Sequence, residues 1–344
     1  MIDNSISNIP TSIMKCQRDQ EIHDFFLNLM DYKNNYFLSS DPKDIIHFYE
    51  GFESRDELIE WMKERPKGSC EIKEVEGEKD IIVVVPTTDF EGEYAKGCRE
   101  EIFKGLHIIF VVSGKGNNYF NYAHNCNIGI KKALEYNPKW IVISNDDVFK
   151  VDDPSVLKNE LMLIDSKTYG ILLPRAFNYI YGHTFNINRY TFLYGIFGRL
   201  NVQKRDFYRI QRKFGLICGL VNHPSDFPNL FSKLKYIIFA HILTNNKVTI
   251  IPFPGYFFVI NSNLFVENNE LLDETFINAP EDVDLVLRKL LTGIRVTRIR
   301  YIIGALVGGS LGNGYDRQLR TISGDIYFFK KEQKSIGGSL CIKE

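Results

Sequence analysis

Hydrophobic residues in the middle of the chain occur in short continuous runs, not at alternating positions. Four of these runs are predicted to be strands, at residues 81–86, 107–114, 140–144 and 169–174. Continuous runs rich in β-branched residues are typical of strands covered on both faces in a parallel sheet. Helical patterns at residues 93–104 and 126–136 separate the runs. This alternation predicts an α/β fold with ligands at the carboxyl ends of the strands.

The pattern changes on both sides of this alternation. Near the start, Ser54 and Glu57 form a capping-box pattern ahead of an apolar helical stripe, and the acidic residues 71–80 resemble a linker. Near the end, two strand-like runs at 247–254 and 255–260 precede a helix at 281–291. The predicted segments are 1–78 (helical extension and linker), 79–174 (first half of the α/β domain), 175–247 (insert) and 248–344 (second half and C-terminal tail).

Composition adds only broad limits. The chain is 44% hydrophobic and 25% charged with a formal net charge of -1, so no overall charge favours a nucleic-acid partner. Its six cysteines are scattered without a CxxC spacing, which favours reduced thiols in a cytoplasmic protein over disulfides or a zinc site. Residues 1–10 are polar and no apolar run is long enough to cross a bilayer, so we expect neither a signal peptide nor a membrane span.

Three polar residues, Asn145, Asp146 and Asp147, directly follow the predicted strand at 140–144. Side chains alternate along an extended chain, so Asn145 and Asp147 can point the same way. Carboxylate oxygens together with phosphate and water oxygens are what Mg²⁺ or Mn²⁺ requires. These residues therefore suit a metal-and-phosphate site. A polar turn in which an aspartate caps the next helix is the alternative.

The predicted helix at 281–291 follows Pro280 and stops at Gly293, and acids occupy its first turn. Asp282 lies near the edge of the buried stripe, where a carboxylate can act as a general base. The other possibility is that these acids only complement the helix dipole. Asp284 and Arg288 have the spacing of a structural ion pair.

Five segments, in order and spacing, resemble the inverting family 2 glycosyltransferases. They read IIVVVPTTD, NYAHNCNIGIKKAL, WIVISNDDV, PGYFFVINSNLF and LLDETFINAPEDVDLVLRKLLTGIRV, and they cover about residues 79–300 apart from the insert. The last segment is the most specific of the five. The resemblance implies a GT-A fold, that is, a Rossmann-like mixed, mainly parallel sheet flanked by helices, here with the N-terminal helical extension.

The resemblance also implies transfer of a sugar, with inversion, from a nucleotide-diphosphate donor to a hydroxyl of a glycan or lipid-linked acceptor. It implies these roles: Pro86, Thr87 and Asp89 beside the nucleoside, Asn127 near the nucleotide-sugar, Asp146 nearer the ribose or donor sugar, Asp147 as the main ligand of Mn²⁺ or Mg²⁺ with Asn145 at the first ligand position, Asp282 as the catalytic base, and Glu281 against the acceptor.

The chain departs from the family pattern at three places. The first metal position is the neutral amide of Asn145, and Ser113 and Gly114 stand where an acid often reads the base. No histidine follows His241, although many members complete the metal site with one. Arg317 and Arg320, further along, could grip the diphosphate instead. His124, which lies inside a matched segment, and residues 114–119 are interpreted as structural.

The insert is strongly basic, with eleven Lys or Arg and two acids in residues 175–247. Residues 229–243 predict a helix that is apolar nearly all round, and residues 205–214 are basic and aromatic. The insert could contact anionic lipids at the inner face of a membrane, or the diphosphate of a lipid-linked acceptor, or it could form a solvated basic flap. A sugar-phosphate nucleotidyltransferase and a non-catalytic carbohydrate-binding or scaffold protein stay open as alternative functions.

Overall fold

The computed structural model describes residues 28–175, 178–183, 205–215, 248–253, 255–268, 271–277, 279–306 and 314–336. The strands are β1 (Glu71–Val75), β2 (Glu78–Thr87), β3 (Leu106–Val112), β4 (Trp140–Ser144), β5 (Val148–Lys150), β6 (Ile171–Leu173), β7 (Asn178–His183), β8 (Val248–Phe253), β9 (Phe257–Asn261), β10 (Val296–Arg298) and β11 (Ile303–Ala305). The helices are α1 (28–38), α2 (Pro42–Glu50), α3 (Arg55–Glu64), α4 (Glu93–Gly97), α5 (Tyr122–Leu134), α6 (Pro154–Leu163), α7 (Arg205–Lys213), α8 (Asn263–Asn268), α9 (Glu281–Leu291) and α10 (Tyr315–Ile336).

Seven strands form one mixed sheet in the order β1-β3-β2-β4-β9-β6-β10. Strands β3, β2 and β4 are mutually parallel and β6 is parallel to β10, whereas β1 and β9 run antiparallel to their neighbours. The central strands are buried on both faces, as their continuous apolar runs predict. The predicted α/β class with a mainly parallel sheet flanked by helices is confirmed.

The acidic residues interpreted as a linker are instead mostly strand. Glu71–Val75 is β1, which pairs antiparallel with β3, and Glu78 begins β2. An edge strand is half-exposed, so its outer positions can be charged and it does not read as a hydrophobic run. One of these acidic side chains also makes specific contacts, since Glu74 accepts a hydrogen bond from Tyr136 Oη (2.7 Å) and lies 2.9 Å from His107 Nε2.

Two predicted helices differ in their bounds from those observed. The helix expected at 93–104 is the short α4, and a π-helical turn, Cys98–Ile102, continues it. The helix expected at 126–136 begins earlier, at Tyr122, because Asn121 caps it by accepting a hydrogen bond from His124 N (2.8 Å).

Hydrophobic side chains cover both faces of the large sheet. One face packs against α5 and α9, and the other against α4, its π-helical turn and α6. Gly129 brings α5 unusually close to the sheet, because a Cβ there would lie 2.4 Å from Val84 Cγ1 and 2.9 Å from Val111 Cγ2. Helix α5 therefore lies directly over β2 and β3, the strands that lead into the predicted nucleoside site.

A separate hydrophobic cluster joins the N-terminal helices α1, α2 and α3 to α7 and α10. Ser54 Oγ accepts from Glu57 N (3.2 Å), which confirms the predicted cap of α3. Within the predicted C-terminal tail, residues 315–336 form a helix that buries Leu319, Ile322 and Ile326 in this cluster. The apolar residues of α10 recur every three or four positions between charged residues. This stripe is weak in the sequence, and it becomes part of a core because the N-terminal helices pack against it.

The helices α1, α2 and α3, together called the N-terminal layer, also hold the loop that follows β3. Arg65 is 2% exposed and donates to Asn34 Oδ1 (2.8 Å) and to the carbonyl oxygen of Asn118 (2.7 Å). Tyr119 of the same loop donates a hydrogen bond to Asp31 on α1. Burial lowers the pKa of Arg65 to about 10. The helical extension therefore positions a loop at the carboxyl edge of the sheet.

The basic insert is described only in part. Its residues 178–183 form β7, which pairs antiparallel with β8, the predicted strand at 247–254. Residues 205–213 form α7, whose Lys213 Nζ donates to the carbonyl oxygens of Tyr49 (2.9 Å) and Glu50 (3.0 Å) at the end of α2. The predicted helix at 229–243 lies outside the described residues. Among the helices that are described, none has the length and apolarity needed to cross a bilayer.

Replacing Gly129 by Ala should destabilise the fold by about 1–3 kcal/mol, because the new methyl group must displace Val84 or Val111 in a packed core. Urea unfolding of both proteins measures the difference. Gly97→Ala is the matched control, since a Cβ at that helical glycine meets nothing within 4 Å. The control should be neutral or more stable than wild type by up to about 1 kcal/mol. Equal effects of the two substitutions would contradict close packing at Gly129.

Candidate functional site

The carboxyl ends of β2, β3 and β4 lie at one edge of the sheet because these strands are parallel neighbours. The loop after β3 leads into α5, whose N-terminal turn therefore lies at the same edge. Helix α9 also begins there, since the charges of Glu281 and Asp282 act on Tyr122 in the first turn of α5. Residues predicted from separate parts of the chain are thereby brought to one edge.

Asp146 is held by the strand beside it. Thr87 Oγ1, at the end of β2, donates to Asp146 Oδ2 at 2.7 Å, and Asp146 is 8% exposed. Burial raises the pKa of Asp146, the charge of Asp147 adds to the rise, and the Thr87 hydrogen bond opposes it. Cys98, from the π-helical turn, packs beneath with its Sγ 3.6 Å from the Asp146 carbonyl oxygen. Two of the predicted site residues, Thr87 and Asp146, are therefore in contact.

A turn before β9 links the acidic strand end to α9. The amide of Asn145 donates to the carbonyl oxygen of Tyr256 (2.9 Å), and the amide of Gly255 donates to Asp282 Oδ2 (3.0 Å). Tyr256 is further anchored by its hydroxyl, which donates to the carbonyl oxygen of Ile303 (3.1 Å). Consecutive residues of one turn thus bind both the NDD strand end and the predicted base.

Glu281 and Asp282 are adjacent buried carboxyl groups, 7% and 6% exposed. Burial raises the pKa of Asp282 to about 6, although the amides of Val283 and Gly255 oppose the rise. Burial, followed by the charge of Asp282, raises the pKa of Glu281 to about 8. Burial therefore raises the pKa of both neighbouring carboxyl groups, and they titrate as one coupled pair.

Asp147 begins a short two-stranded ribbon made by β5 and β11. Its carbonyl oxygen accepts from Leu306 N (2.9 Å), and the pairing continues through Val148 and Ala305. Arg317 lies near enough for the charge of Asp147 to raise its pKa, against a larger lowering by burial. Asp147 is itself only 6% exposed. The predicted metal ligand and one of the two predicted diphosphate arginines are therefore electrostatic neighbours.

The acidic strand end is suited to a hard cation only if other oxygens complete the coordination. Within the described residues, no three His, Cys, Asp or Glu side chains group closely enough to bind a metal. Mg²⁺ and Mn²⁺ sites in phosphate-binding enzymes, however, use one or two carboxylates together with phosphate and water. Asp146 and Asp147 are a buried like-charged pair that such a cation would relieve.

A lysine that the sequence analysis did not single out, Lys115, lies at the edge of the sheet where the nucleoside is predicted to bind. Pro86 lies within β2 opposite Val111, whereas Asp89 follows the strand and pairs with Lys115 Nζ at 2.7 Å. The Lys115 ammonium, followed by the amide of Glu91, lowers the pKa of Asp89. Lys115 stands two residues after Ser113, where the family often has an acid. The charge reaching this edge from β3 is therefore positive.

Asn127 contacts the chain just ahead of α9. Its side chain donates to the carbonyl oxygen of Leu272 (2.9 Å) and to Glu274 Oε1 (2.8 Å), and it accepts from Leu272 N (2.9 Å). His124 Nδ1 lies 2.8 Å from Glu274 Oε2. In this structure Asn127 fastens the 271–277 segment to α5, and its predicted contact with the nucleotide-sugar stays a prediction.

The two predicted diphosphate arginines differ in their surroundings. Arg320 donates to Asp316 Oδ2 (2.7 Å) on its own helix and to the carbonyl oxygen of Ser39 (3.0 Å), between α1 and α2. It therefore ties α10 to the N-terminal layer, whereas Arg317, one turn earlier, lies near Asp147. Of the two, Arg317 is the better placed to meet a phosphate group.

An ion network behind the site fixes α9 to α10. Asp284 pairs with Arg288 (2.8 Å), as its spacing predicts, and also with Lys331 Nζ (2.8 Å). Lys331 binds Asp273 Oδ2 as well (2.7 Å), and with Tyr327 it outweighs burial and lowers the pKa of Asp273 to about 2. Lys331 is distant in sequence and part of an ordinary charged stretch, so no local signal could have revealed this contact.

The Thr87 hydroxyl should matter most when Asp146 is ionised. Thr87→Val should lower the free energy of unfolding by about 1–3 kcal/mol at pH 8, because a buried carboxylate loses its donor. The loss should be smaller at pH 4, since a protonated carboxyl needs that donor less. Urea unfolding at both pH values measures the effect, with Thr87→Ser as the control that keeps the hydroxyl. A loss that is the same at both pH values would contradict the assigned contact.

Comparison of the chain with models of known protein families and with curated proteins gives no match. The resemblance to family 2 glycosyltransferases therefore stays an expectation from the sequence. What can be said of the function rests on the residues and geometry described above.

Proposed function

We propose that the chain is an inverting glycosyltransferase of the GT-A fold, which transfers a sugar from a nucleotide-diphosphate donor to a hydroxyl of a glycan or lipid-linked acceptor. The observation that carries the proposal is the Gly255–Tyr256 turn, which hydrogen-bonds both Asn145 and Asp282. The turn therefore connects the acidic end of β4, which suits a metal and a phosphate group, to a carboxylate that is suited to act as a base. The sheet order, with antiparallel β9 between β4 and β6, also supports the GT-A assignment.

In the proposed reaction Asp282 takes the proton of the acceptor hydroxyl. The acceptor oxygen forms a bond to the anomeric carbon while the bond from that carbon to the diphosphate oxygen breaks, so the configuration inverts. A pKa of about 6 leaves most of the Asp282 carboxyl ionised at neutral pH and still basic enough to accept a proton. The amides of Gly255 and Val283 fix the orientation of the carboxylate.

Glu281 would bind the acceptor beside Asp282. Its raised pKa favours the protonated carboxyl group, which can donate a hydrogen bond to an acceptor oxygen. A second negative charge beside Asp282 would oppose the approach of a diphosphate. Keeping Glu281 neutral avoids that repulsion.

The donor is proposed to lie along the carboxyl ends of β2 and β4. Pro86, Thr87 and Asp89 border the nucleoside, and Asp146, held by Thr87, lies nearer the ribose or the donor sugar. Asp147, with Asn145, would hold Mn²⁺ or Mg²⁺, which when bound neutralises charge on the diphosphate. Arg317, which lies near Asp147, would contribute positive charge to the diphosphate site.

Asp282→Asn should lower sugar transfer by about 10²–10⁴-fold, because the amide cannot accept the proton. Binding of the nucleotide-sugar should change little, since the amide can keep the hydrogen bond from Gly255. Transfer to water, measured as release of nucleoside diphosphate from UDP-, GDP- and dTDP-sugars with Mn²⁺, gives the first assay. Asp80→Asn, at an exposed position in the first half of β2, is the matched control.

The rate should also depend on pH through the same group. As the pH falls through about 6, Asp282 becomes protonated and kcat/KM should fall in proportion. A variant Asp282→Asn that retains normal turnover, or a rate that rises towards acid pH, would rule out Asp282 as the base. Absence of nucleotide-sugar turnover together with tight sugar binding would favour a non-catalytic carbohydrate-binding protein.

Asp147→Ala should remove both the metal requirement and most of the donor affinity. The measurement is thermal stabilisation by a panel of nucleotide-sugars, each with and without Mn²⁺. Wild type should be stabilised more when both are present, whereas the variant should show no dependence on Mn²⁺. Asp152→Ala, an acid in the turn after β5, is the control. Unchanged metal dependence in the Asp147 variant would contradict the metal assignment.

A further inference from the structure

Asn125, in the N-terminal half of α5, has a buried side-chain amide that lacks a partner. The residue is 1% exposed, and among the residues that the structure describes no group forms a hydrogen bond with its Nδ2 atom. Asn127, two positions later on the same helix, makes three hydrogen bonds through its amide. A buried polar group without a partner opposes folding, so Asn125 calls for another role, such as contact with a ligand.

The position of Asn125 follows from that of Gly129, one helical turn later. A Cβ on Gly129 would lie 2.4 Å from Val84 Cγ1 and 2.9 Å from Val111 Cγ2, so this side of α5 lies against β2 and β3. Helix α5 connects β3 to β4, which are both parallel to β2, and it therefore runs back from the carboxyl ends of these strands. Four helical residues span about 6 Å, so Asn125 lies that much nearer to the carboxyl ends.

This distance puts Asn125 level with the predicted nucleoside site. About 6 Å corresponds to two residues of a strand, which leads from Val84 to Pro86 on β2 and from Val111 to Ser113 after β3. Because side chains alternate along a strand, Pro86 and Ser113 are on the same face of the sheet as those two valines, the face that α5 covers. The unpartnered amide therefore lies at the residues proposed to border the nucleoside.

An amide suits one part of a nucleotide better than the others. The edge of a nucleobase presents a donor beside an acceptor, and an amide does the same, so the two can form a pair of hydrogen bonds. A phosphate group offers only acceptors and would leave the amide oxygen unpaired. We propose that Asn125 contacts the base of the donor nucleotide and contributes to its selection. This inference rests on the proposed glycosyltransferase function and adds a residue that reads the base.

The charges at this edge of the sheet favour one class of base. Lys115, two residues after Ser113, lies with its Nζ 2.7 Å from Asp89, and an ammonium group has donors only. It can pair with the carbonyl oxygen O4 of uracil or thymine, or O6 of guanine. In cytosine and adenine an amino group occupies the corresponding place and would meet donor with donor. The inferred base therefore carries a ring N–H beside a carbonyl group, as in uracil, thymine and guanine.

Isothermal titration calorimetry of the full chain with Mn²⁺ tests the inference, with UDP, dTDP, GDP, CDP and ADP as probes. Wild type should bind at least one of the first three more tightly than CDP and ADP. Asn125→Leu keeps the branched shape and removes both hydrogen-bonding atoms, so the affinity for the preferred nucleotide should fall about tenfold. Pyrophosphate, which has no base, should bind wild type and variant equally. Asn159→Leu, at an exposed position of α6, is the control and should change neither affinity.

Stability separates a ligand contact from a structural role. In urea unfolding without ligand, Asn125→Leu should be as stable as wild type or more stable, because it removes an unpaired buried amide. Asn127→Leu is the matched comparison on the same helix. It should be less stable than wild type, since it leaves polar groups of Leu272 and Glu274 without their partner. An equal loss of stability in the two variants would show that Asn125 is structural and would overturn the inference.

The binding experiment has three further outcomes against the inference. Unchanged nucleotide affinity in Asn125→Leu would overturn the contact, and so would an equal loss of pyrophosphate affinity. A wild-type protein that binds CDP or ADP as tightly as the other nucleotides would overturn the assigned class of base. In each of these cases the proposed function survives. If wild type binds neither the nucleotides nor pyrophosphate, the proposed function itself fails, and the inference fails with it.

Discussion

The structure depends most on the burial of carboxyl groups at one edge of the sheet. Asp146, Asp147, Glu281 and Asp282 are each less than 9% exposed, and an unpaired buried charge is costly to any fold. The chain limits that cost in several ways. Thr87 donates to Asp146, two backbone amides donate to Asp282, and Arg317 lies near Asp147. The raised pKa of Glu281 favours its uncharged form. The raised pKa values show that the compensation is incomplete, as at sites that bind or react with a charged ligand.

Much of the fold could be predicted because the central strands are buried on both faces, so nearly all of their residues are apolar. The run at 140–144 coincides with β4, and the helix at 281–291 coincides with α9, since Pro280 and Gly293 flank it. The edge strand β1 was missed because a half-exposed strand can be charged. Helix α10 was missed because its stripe is apolar enough only against the N-terminal helices. In both cases the environment, which a local pattern does not contain, decides the structure.

For the candidate site, the sequence indicated residues but not their connections. It indicated Asn145 and Asp282, yet the turn that connects them, Gly255–Tyr256, contributes through backbone amide and carbonyl groups, which leave no side-chain pattern in the sequence. Lys115 was missed for a different reason, since an exposed lysine after a strand has no special pattern. The resemblance implies a ligand contact for Asn127, and it gives no sign that the same side chain hydrogen-bonds Leu272 and Glu274.

Coupling between the helical layer and the site explains why the terminal segments belong to this domain. Lys331 on α10 binds Asp284 on α9, two residues from the proposed base. A Cβ on Gly324 of α10 would lie 1.7 Å from the carbonyl oxygen of Ala279, just ahead of α9. In addition, Arg65 donates a hydrogen bond to the loop after β3, and Lys115 belongs to the same loop. The layer therefore sets the position of α9 and of the nucleoside loop together, so damage to its core should alter both halves of the site.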